Sequence, residues 1–310
     1  MVEAGRGGDS HGLSSAPRLP AALKALSRTI QWLLWLLGRL PLRALHALGA
    51  ALGGLWLRAG FREARVAAIN LRLCFPELDA AARDELLRRT LAETGRTALE
   101  LPWLWSRSPA TLERAIRVVE GERRFLDAIA AGKGVLIAAP HLGAWEALNL
   151  YLSRTAPVAI LYRPPRLAWV EILINRCRGR LGAEPVRAEA AGVRTLLKRL
   201  KDGGVVGILP DQQPKVGEGD FAPFFGRPAL TMSLFPKLAQ RTGACVLYAW
   251  VERLPRGAGF AVRFFDLGGA PDATAMNAAI ESLARQCPAQ YQWTYKRFGI
   301  QPDGAPSPYR

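Results

Sequence analysis

The amino-acid sequence predicts an α/β protein: a mainly parallel central sheet flanked by helices, with hydrophobic membrane-anchor helices at the N-terminus. Three observations carry that reading. Between residues 133 and 266, short apolar runs suited to buried strands alternate with helix-length stretches, the pattern that lays helices on a parallel sheet. One such run, Gly134 to Pro140, leads directly into His141-Leu142-Gly143-Ala144-Trp145-Glu146, which sets an imidazole and a carboxylate at the carboxyl end of a strand. Open sheets of this class hold their chemistry there. Upstream, 29–57 carries only Arg39 and Arg43 as certain charges.

Taken in order, residues 1–28 read as a disordered tail, the first twenty being rich in Gly, Ser and Pro without periodicity. Residues 29–58 form the hydrophobic membrane-anchor segment, which Pro41 divides into 32–37 and 44–57. A full span needs about 20 apolar residues. The uninterrupted block is shorter, so a monotopic anchor or short embedded hairpin is expected, ahead of a single span or of a helix pair packed on the core. Residues 59–310 form the remaining domain. It opens with helix from 62, broken at Pro76 and resumed from Asp79 to Ser106. Strands are expected at 134–139, 157–162, 204–209, 244–252 and 259–266, and helices at 144–153, 166–181, 190–202, 230–242 and 274–287.

Composition narrows the function. A chain of 310 residues, half of them hydrophobic, can bury a large core. With 42 Lys and Arg against 26 Asp and Glu, the net charge is +16, which points to an anionic partner: nucleic acid, an acidic protein or a phosphate-bearing membrane surface. An arginine-rich proteome from a GC-rich genome accounts for the same balance. No zinc-finger spacing, aromatic RNA-binding motif or basic zipper is present, so the reading is no nucleic acid. Cys74, Cys177, Cys245 and Cys287 are scattered without a C-x-x-C pair, which fits free thiols in a reducing compartment.

His141 is one of three histidines. With a carboxylate beside it, it is the minimum equipment for activating a hydroxyl; the alternative is a hydrogen-bonded structural imidazole. Residues five apart on a helix point about 140° apart, so His141 belongs before the helix and Glu146 in its first turns. Gly143 then lets the chain bend, and first-turn amides face an anion or oxyanion. One His and one Glu make no zinc site, and neither metal nor cofactor is expected. No G-x-S-x-G elbow occurs.

The wider pattern resembles the lysophospholipid-type acyltransferases with an H-x4-D/E motif, and within them the lauroyl/myristoyl acyltransferases of lipid A biosynthesis. It is carried by His141 to Glu146, Tyr162-Arg163-Pro164, Arg178-Gly179-Arg180, Leu209-Pro210-Asp211-Gln212, Pro223-Phe224-Phe225-Gly226, Gln290-Tyr291-Gln292-Trp293 and Pro306-Ser307-Pro308-Tyr309, in the family's order across 29–310. The resemblance implies a glycerolipid-acyltransferase-like fold that moves a fatty acyl chain from an acyl carrier protein thioester to a hydroxyl of a (Kdo-)lipid A precursor. It implies His141 as general base oriented by Glu146, with the acceptor attacking the thioester directly and no protein nucleophile. The phosphorylated acceptor implies arginine contacts: Arg180, favoured over Arg178, with Arg163 as helper. Asp211 falls on the family's third motif, there to orient an arginine or sugar or to cap a loop. Residues 221–225 line an acyl channel or seal the core. The implied partners are acidic acyl carrier protein, the lipid A precursor and the membrane surface, at the cytoplasmic face of the bacterial inner membrane. Lysophosphatidate or a glycolipid is the alternative acceptor, and a non-enzymatic basic surface protein the remaining one.

Overall fold

The computed structural model describes residues 21–310 except Arg166 and Leu181, with side chains described from Thr29 onward. The expected tail therefore lies mostly outside the described residues, and from Ala21 the chain is already helical. Four helices come first: α1 (Ala21–Leu37), α2 (Leu42–Arg58), α3 (Arg62–Cys74) and α4 (Ala80–Ser106). Asp79 caps α4 by accepting from the Ala82 amide at 2.7 Å, a bond that satisfies one of the orphan donors at a helix start.

The sheet-bearing part follows as α5 (Pro109–Ala115), β1 (Ile116–Glu120), α6 (Glu122–Ala130), β2 (Val135–Ala138), α7 (Trp145–Thr155), β3 (Val158–Tyr162), α8 (Ala168–Arg180), β4 (Glu184–Arg187), α9 (Ala190–Lys201) and β5 (Val205–Ile208). It closes with β6 (Gly219–Phe224), β7 (Arg227–Met232), α10 (Leu234–Thr242), β8 (Cys245–Arg253), β9 (Phe260–Phe265) and α11 (Ala273–Gln286). Seven strands form one sheet in the order β1-β9-β8-β2-β5-β3-β4. Every pairing in it is parallel except β8 with β9, so the sheet is mainly parallel, as the alternation predicts. Helices cover both of its faces, because successive residues serve two cores. Leu136 and Ala138 pack with Leu71, Leu196 and Ile280 on one side, and Val135 and Ile137 pack with Leu45, Leu104 and Leu148 on the other.

Four strands escape the sequence reading. β1 and β4 are edge strands with little buried surface, and β4 contains Pro185, tolerable only at an edge. The antiparallel hairpin β6–β7 occupies the start of the expected 230–242 helix, so α10 begins only at Leu234. Phe224 and Phe225 pack with Phe75, Tyr291 and Trp293. They seal the core; the acyl-channel alternative is not how these two are used.

No single described helix is long and apolar enough to cross a membrane; Thr29–Leu37 and Leu42–Arg58 meet that test only together, bent by 110°. One face of α2 is packed on α4, not presented to a bilayer. A Cβ on Gly53 would stand 2.0 Å from the Leu91 carbonyl oxygen, and one on Gly95 would stand 1.9 Å from that of Gly49, so the two helices touch backbone to backbone. The outward sides of α1 and α2 stay exposed and apolar, with Trp32, Leu33, Trp35 and Leu36 on α1 and Leu48 and Leu55 on α2.

Beside this contact lies a buried ionic cluster. Arg253, at the end of β8, donates from Nε and Nη2 to the two oxygens of Glu100 at 2.8 and 2.5 Å, and from Nη1 to Glu93 at 2.6 Å. His46 of α2 completes Glu100 at 3.1 Å. Burial alone would raise the Glu100 carboxyl, but the Arg253 charge and the hydrogen bonds from Arg253 and His46 outweigh it and hold it below its ordinary value.

Candidate active site

β2 and β5 are neighbours in register, Ala138 facing Ile208. His141 and Asp211 each stand three residues beyond that pair, so the sheet delivers them together at the carboxyl ends. Chain direction diverges here: β2 leads through α7 to β3, while β5 leads through the β6–β7 hairpin and α10 to β8 on the other side of β2. Such a divergence leaves a crevice in an open α/β sheet.

Asp211 is 3 % exposed and holds His141 through both carboxylate oxygens. The ring Nδ1 meets Oδ1, and the main-chain N–H donates to Oδ2, each at 2.8 Å. Burial pushes the Asp211 carboxyl up, yet the neighbouring His141 charge and its ring and main-chain hydrogen bonds prevail and hold it below its ordinary value. An ionised carboxylate accepts only, so in the neutral ring Nδ1 carries the proton and Nε2 keeps a lone pair. Gln212 agrees, since its Nε2 stands 3.2 Å from His141 Nε2 and an amide nitrogen only donates. Two neighbours thus demand the tautomer that a general base needs.

Glu146 does not take the orienting place expected of it. Among the described residues no hydrogen bond joins it to His141. Helix α7 begins at Trp145, whose ring packs edge-on to the imidazole at 5.1 Å, and the next residue lies about 100° further round. Glu146 therefore faces α8, where it accepts from Arg178 Nε at 3.2 Å and also from Arg178 Nη2, with Asn149 adding a third contact at 3.3 Å. Burial would lower the Arg178 guanidinium, but the Glu146 charge and hydrogen bonding raise it above its ordinary value.

Arg178, not Arg180, is the arginine of this motif that faces the site. The two lie about 200° apart on α8. Arg180 donates to the main-chain oxygens of Arg107 and Trp105 at 2.9 and 2.8 Å, closing the carboxyl end of α4. Arg163 follows β3 and meets Glu218 at 3.2 Å, both side chains about half exposed. Tyr162 beside it is held by α8, donating to Glu171 at 2.7 Å and accepting from Asn175 at 2.9 Å.

One cavity of about 530 Å³ opens beside His141. Leu161, Ile174, Val193, Ile208, Met232 and Leu234 give it an apolar wall. His141, Arg163, Arg178 and Gln212 also line it. Two amides just ahead of α7 are committed to main-chain partners: that of Gly143 donates to the Gln290 carbonyl at 3.0 Å and that of Ala144 to the Val251 carbonyl at 2.8 Å. Gly143 has φ +65°, and a Cβ there would meet the Val251 oxygen at 1.9 Å, so only glycine fits this bend.

The sequence reading gives no role to Gln212 or Gln292. Gln212 Nε2 also donates to Gln292 Oε1 at 3.0 Å, while the Gln292 amide donates to the His141 carbonyl at 3.0 Å. Both lie in segments that carry the resemblance, and for Gln212 the position next to Asp211 is the available signal.

A base held by a buried carboxylate, facing an apolar cavity with arginines on its wall, is equipped to deprotonate a hydroxyl on an amphiphile. Comparison with known proteins identifies the family. Residues 20–299 match the family model of the bacterial lipid A biosynthesis acyltransferases. The chain is 28 % identical to the lipid A biosynthesis lauroyltransferase of Escherichia coli K12 over 312 residues, 96 % of this chain and 100 % of that one. The palmitoleoyltransferase of the same organism is 28 % identical over 291 residues, covering 89 % and 92 %. Its myristoyltransferase is 24 % identical over 274, covering 84 % and 83 %. The chain therefore belongs to the family of bacterial lipid A biosynthesis acyltransferases.

Proposed function

We propose that this chain moves a fatty acyl chain from an acyl carrier protein thioester to a hydroxyl of a lipid A precursor, with His141 as general base and Asp211 as the carboxylate that orients it. The observation that carries this reading is the pair of 2.8 Å contacts from Asp211 to His141, which leaves Nε2 as the lone-pair nitrogen beside the cavity. The acceptor hydroxyl gives its proton to Nε2 as its oxygen attacks the thioester carbon. Asp211 stabilises the imidazolium that forms, as the carboxylate of a Ser-His-Asp triad does. Collapse of the tetrahedral centre breaks the carbon–sulfur bond, and the imidazolium returns the proton to the thiolate.

Glu146 acts through Arg178: it sets the guanidinium on the cavity wall, where a phosphate of the acceptor is recognised, with Arg163 at the rim. The apolar wall takes acyl chain. Its relatives are named for lauroyl, palmitoleoyl and myristoyl transfer, so family membership leaves chain length open. The exposed tryptophans and leucines of α1 and α2 support a monotopic anchor on the cytoplasmic face of the inner membrane. The net charge of +16 suits docking of an acidic carrier protein.

The deciding experiment is transfer from radiolabelled lauroyl- and myristoyl-acyl carrier protein to tetra-acylated lipid A precursor, with and without Kdo, using wild type and His141→Ala. Product from wild type alone is expected. Equal product from both removes His141 as the base. Transfer only to lysophosphatidate or another glycolipid would replace the acceptor while keeping the chemistry.

A further inference from the structure

We infer that Gln212 is a second catalytic residue, the amide that receives the thioester oxygen as it gains charge, and that Gln292 is the positioning residue that aims it. This rests on the reaction proposed above. An amide –NH₂ has two hydrogens, and the structure shows a partner for each: His141 Nε2 at 3.2 Å and Gln292 Oε1 at 3.0 Å. The first is the lone pair that the acceptor hydroxyl must occupy. When it does, one N–H of Gln212 is released while the other stays anchored. The reacting carbon is bonded to the very oxygen that sits on Nε2. The carbonyl oxygen therefore develops next to that point, in reach of the freed N–H.

Several other donors near the base are engaged. The Gly143 and Ala144 amides bond to the Gln290 and Val251 carbonyls, the His141 amide bonds to Asp211, and Arg178 is held by Glu146. Gln292 is well placed to aim Gln212 because its own main chain is tied to the base, its N–H donating to the His141 carbonyl at 3.0 Å. Beside it, Leu142 and Tyr291 form a β-bridge, and the Gln290 side chain clips the N–H and carbonyl of Arg253 at 2.9 Å each. One short segment, 290–292, therefore sets the distance between base and amide.

The electrons balance without a further reactant. The acceptor oxygen–carbon bond forms, the carbonyl π pair moves onto the oxygen held by Gln212, and the hydroxyl proton passes to Nε2. The pair returns as the carbon–sulfur bond breaks, and the thiolate takes the proton. A preorganised donor aimed at that oxygen strengthens its contact only as charge develops.

The test is steady-state transfer from lauroyl-acyl carrier protein to the lipid A precursor by full-length wild type, Gln212→Ala, Gln212→Met, Gln292→Leu and the Gln212→Ala/Gln292→Leu double variant. Loss of one oxyanion donor predicts a fall in kcat of about 10²–10³-fold for either Gln212 variant, with KM for both substrates unchanged. Gln212→Met keeps the side-chain length without an N–H, so it carries the same readout if the alanine variant fails to fold. Gln292→Leu should lose about 10-fold to 10²-fold in kcat, the range for a misaimed group, and the double variant should be no slower than Gln212→Ala. Folded Gln212 variants turning over at the wild-type kcat, with His141→Ala inactive, overturn this role alone. A double variant slowed by the product of the two single losses overturns the relay through Gln292. A wild type inactive on every acceptor overturns the acyl-transfer reading and this inference with it.

Discussion

Asp211 grips His141 at two points, taking the ring Nδ1–H with one oxygen and the main-chain N–H with the other, each at 2.8 Å. Ring orientation, tautomer and loop position are fixed by a single side chain. Asp211→Asn turns one acceptor into a donor facing two donors. A fall in kcat of about 10⁴-fold is expected, as for a triad forced into the wrong tautomer. Rapid-quench turnover of folded variant is the measurement, and a loss under tenfold would remove Asp211 from the mechanism.

Glu146 and Arg178 predict a different signature. Glu146→Gln leaves the His141–Asp211 pair intact but weakens the hold on Arg178, so KM for the acceptor should rise about 10-fold, the worth of one charge-assisted hydrogen bond. Turnover at saturating acceptor should change little. A collapse of kcat matching that of Asp211→Asn would return the orienting role to Glu146.

Arg178 and Arg180 separate in the same way. Arg180→Ala should leave both kinetic parameters near wild type and lower stability by about 0.3–1 kcal/mol, the usual contribution of a cation at a helix carboxyl end. Arg178→Ala should weaken acceptor binding. Urea denaturation alongside acceptor titration tests both, and the reverse assignment would follow if Arg180→Ala raised the acceptor KM.

Two glycines with left-handed backbone give a matched pair. Gly60 has φ +62° with open space where a Cβ would go, and Gly143 has φ +65° with the Val251 oxygen at 1.9 Å. Gly60→Ala should show only the backbone penalty, about 1 kcal/mol. Gly143→Ala must also displace the turn that carries His141, so thermal midpoint and turnover should both fall further.

Acid stability should depend on Glu100. Its carboxyl is held below the ordinary 4.5 in the folded protein, so the unfolded chain binds the proton first as pH drops. The stabilisation is fully present above 4.5 and is lost as pH falls through the lower folded value. Glu100→Gln should flatten the unfolding free energy against pH in that acid window. An unchanged slope would show that other carboxylates govern acid unfolding.

The parallel core and the place of His141 were legible because a strand buried on both faces is apolar at every position, as Val135 to Ala138 are. β1 and β4 were not, since an edge strand such as Glu184-Pro185-Val186-Arg187 leaves no hydrophobic trace. The partner of His141 was hidden for another reason. Glu146 is close in sequence, whereas Asp211 becomes close only once β2 and β5 pair in register. The choice between Arg178 and Arg180 depends on the rotation of α8, which two arginines separated by one glycine leave ambiguous. Hydropathy likewise treats Gly49 and Gly53 as neutral, although they mark the face of α2 that α4 occupies.

The backbone-to-backbone seat of α2 on α4 has a mechanical consequence. Helices in such contact cannot roll or slide past each other by the breadth of a methyl group without collision. Glu93 and Glu100 of α4 grip Arg253 at the tip of β8, and Arg253 reaches the Gly143 carbonyl at 3.4 Å. From the outer apolar side of α2 to the turn beneath the imidazole there is one continuous strut. Its close contacts tie the position of the His141 turn to the exposed apolar side of α2.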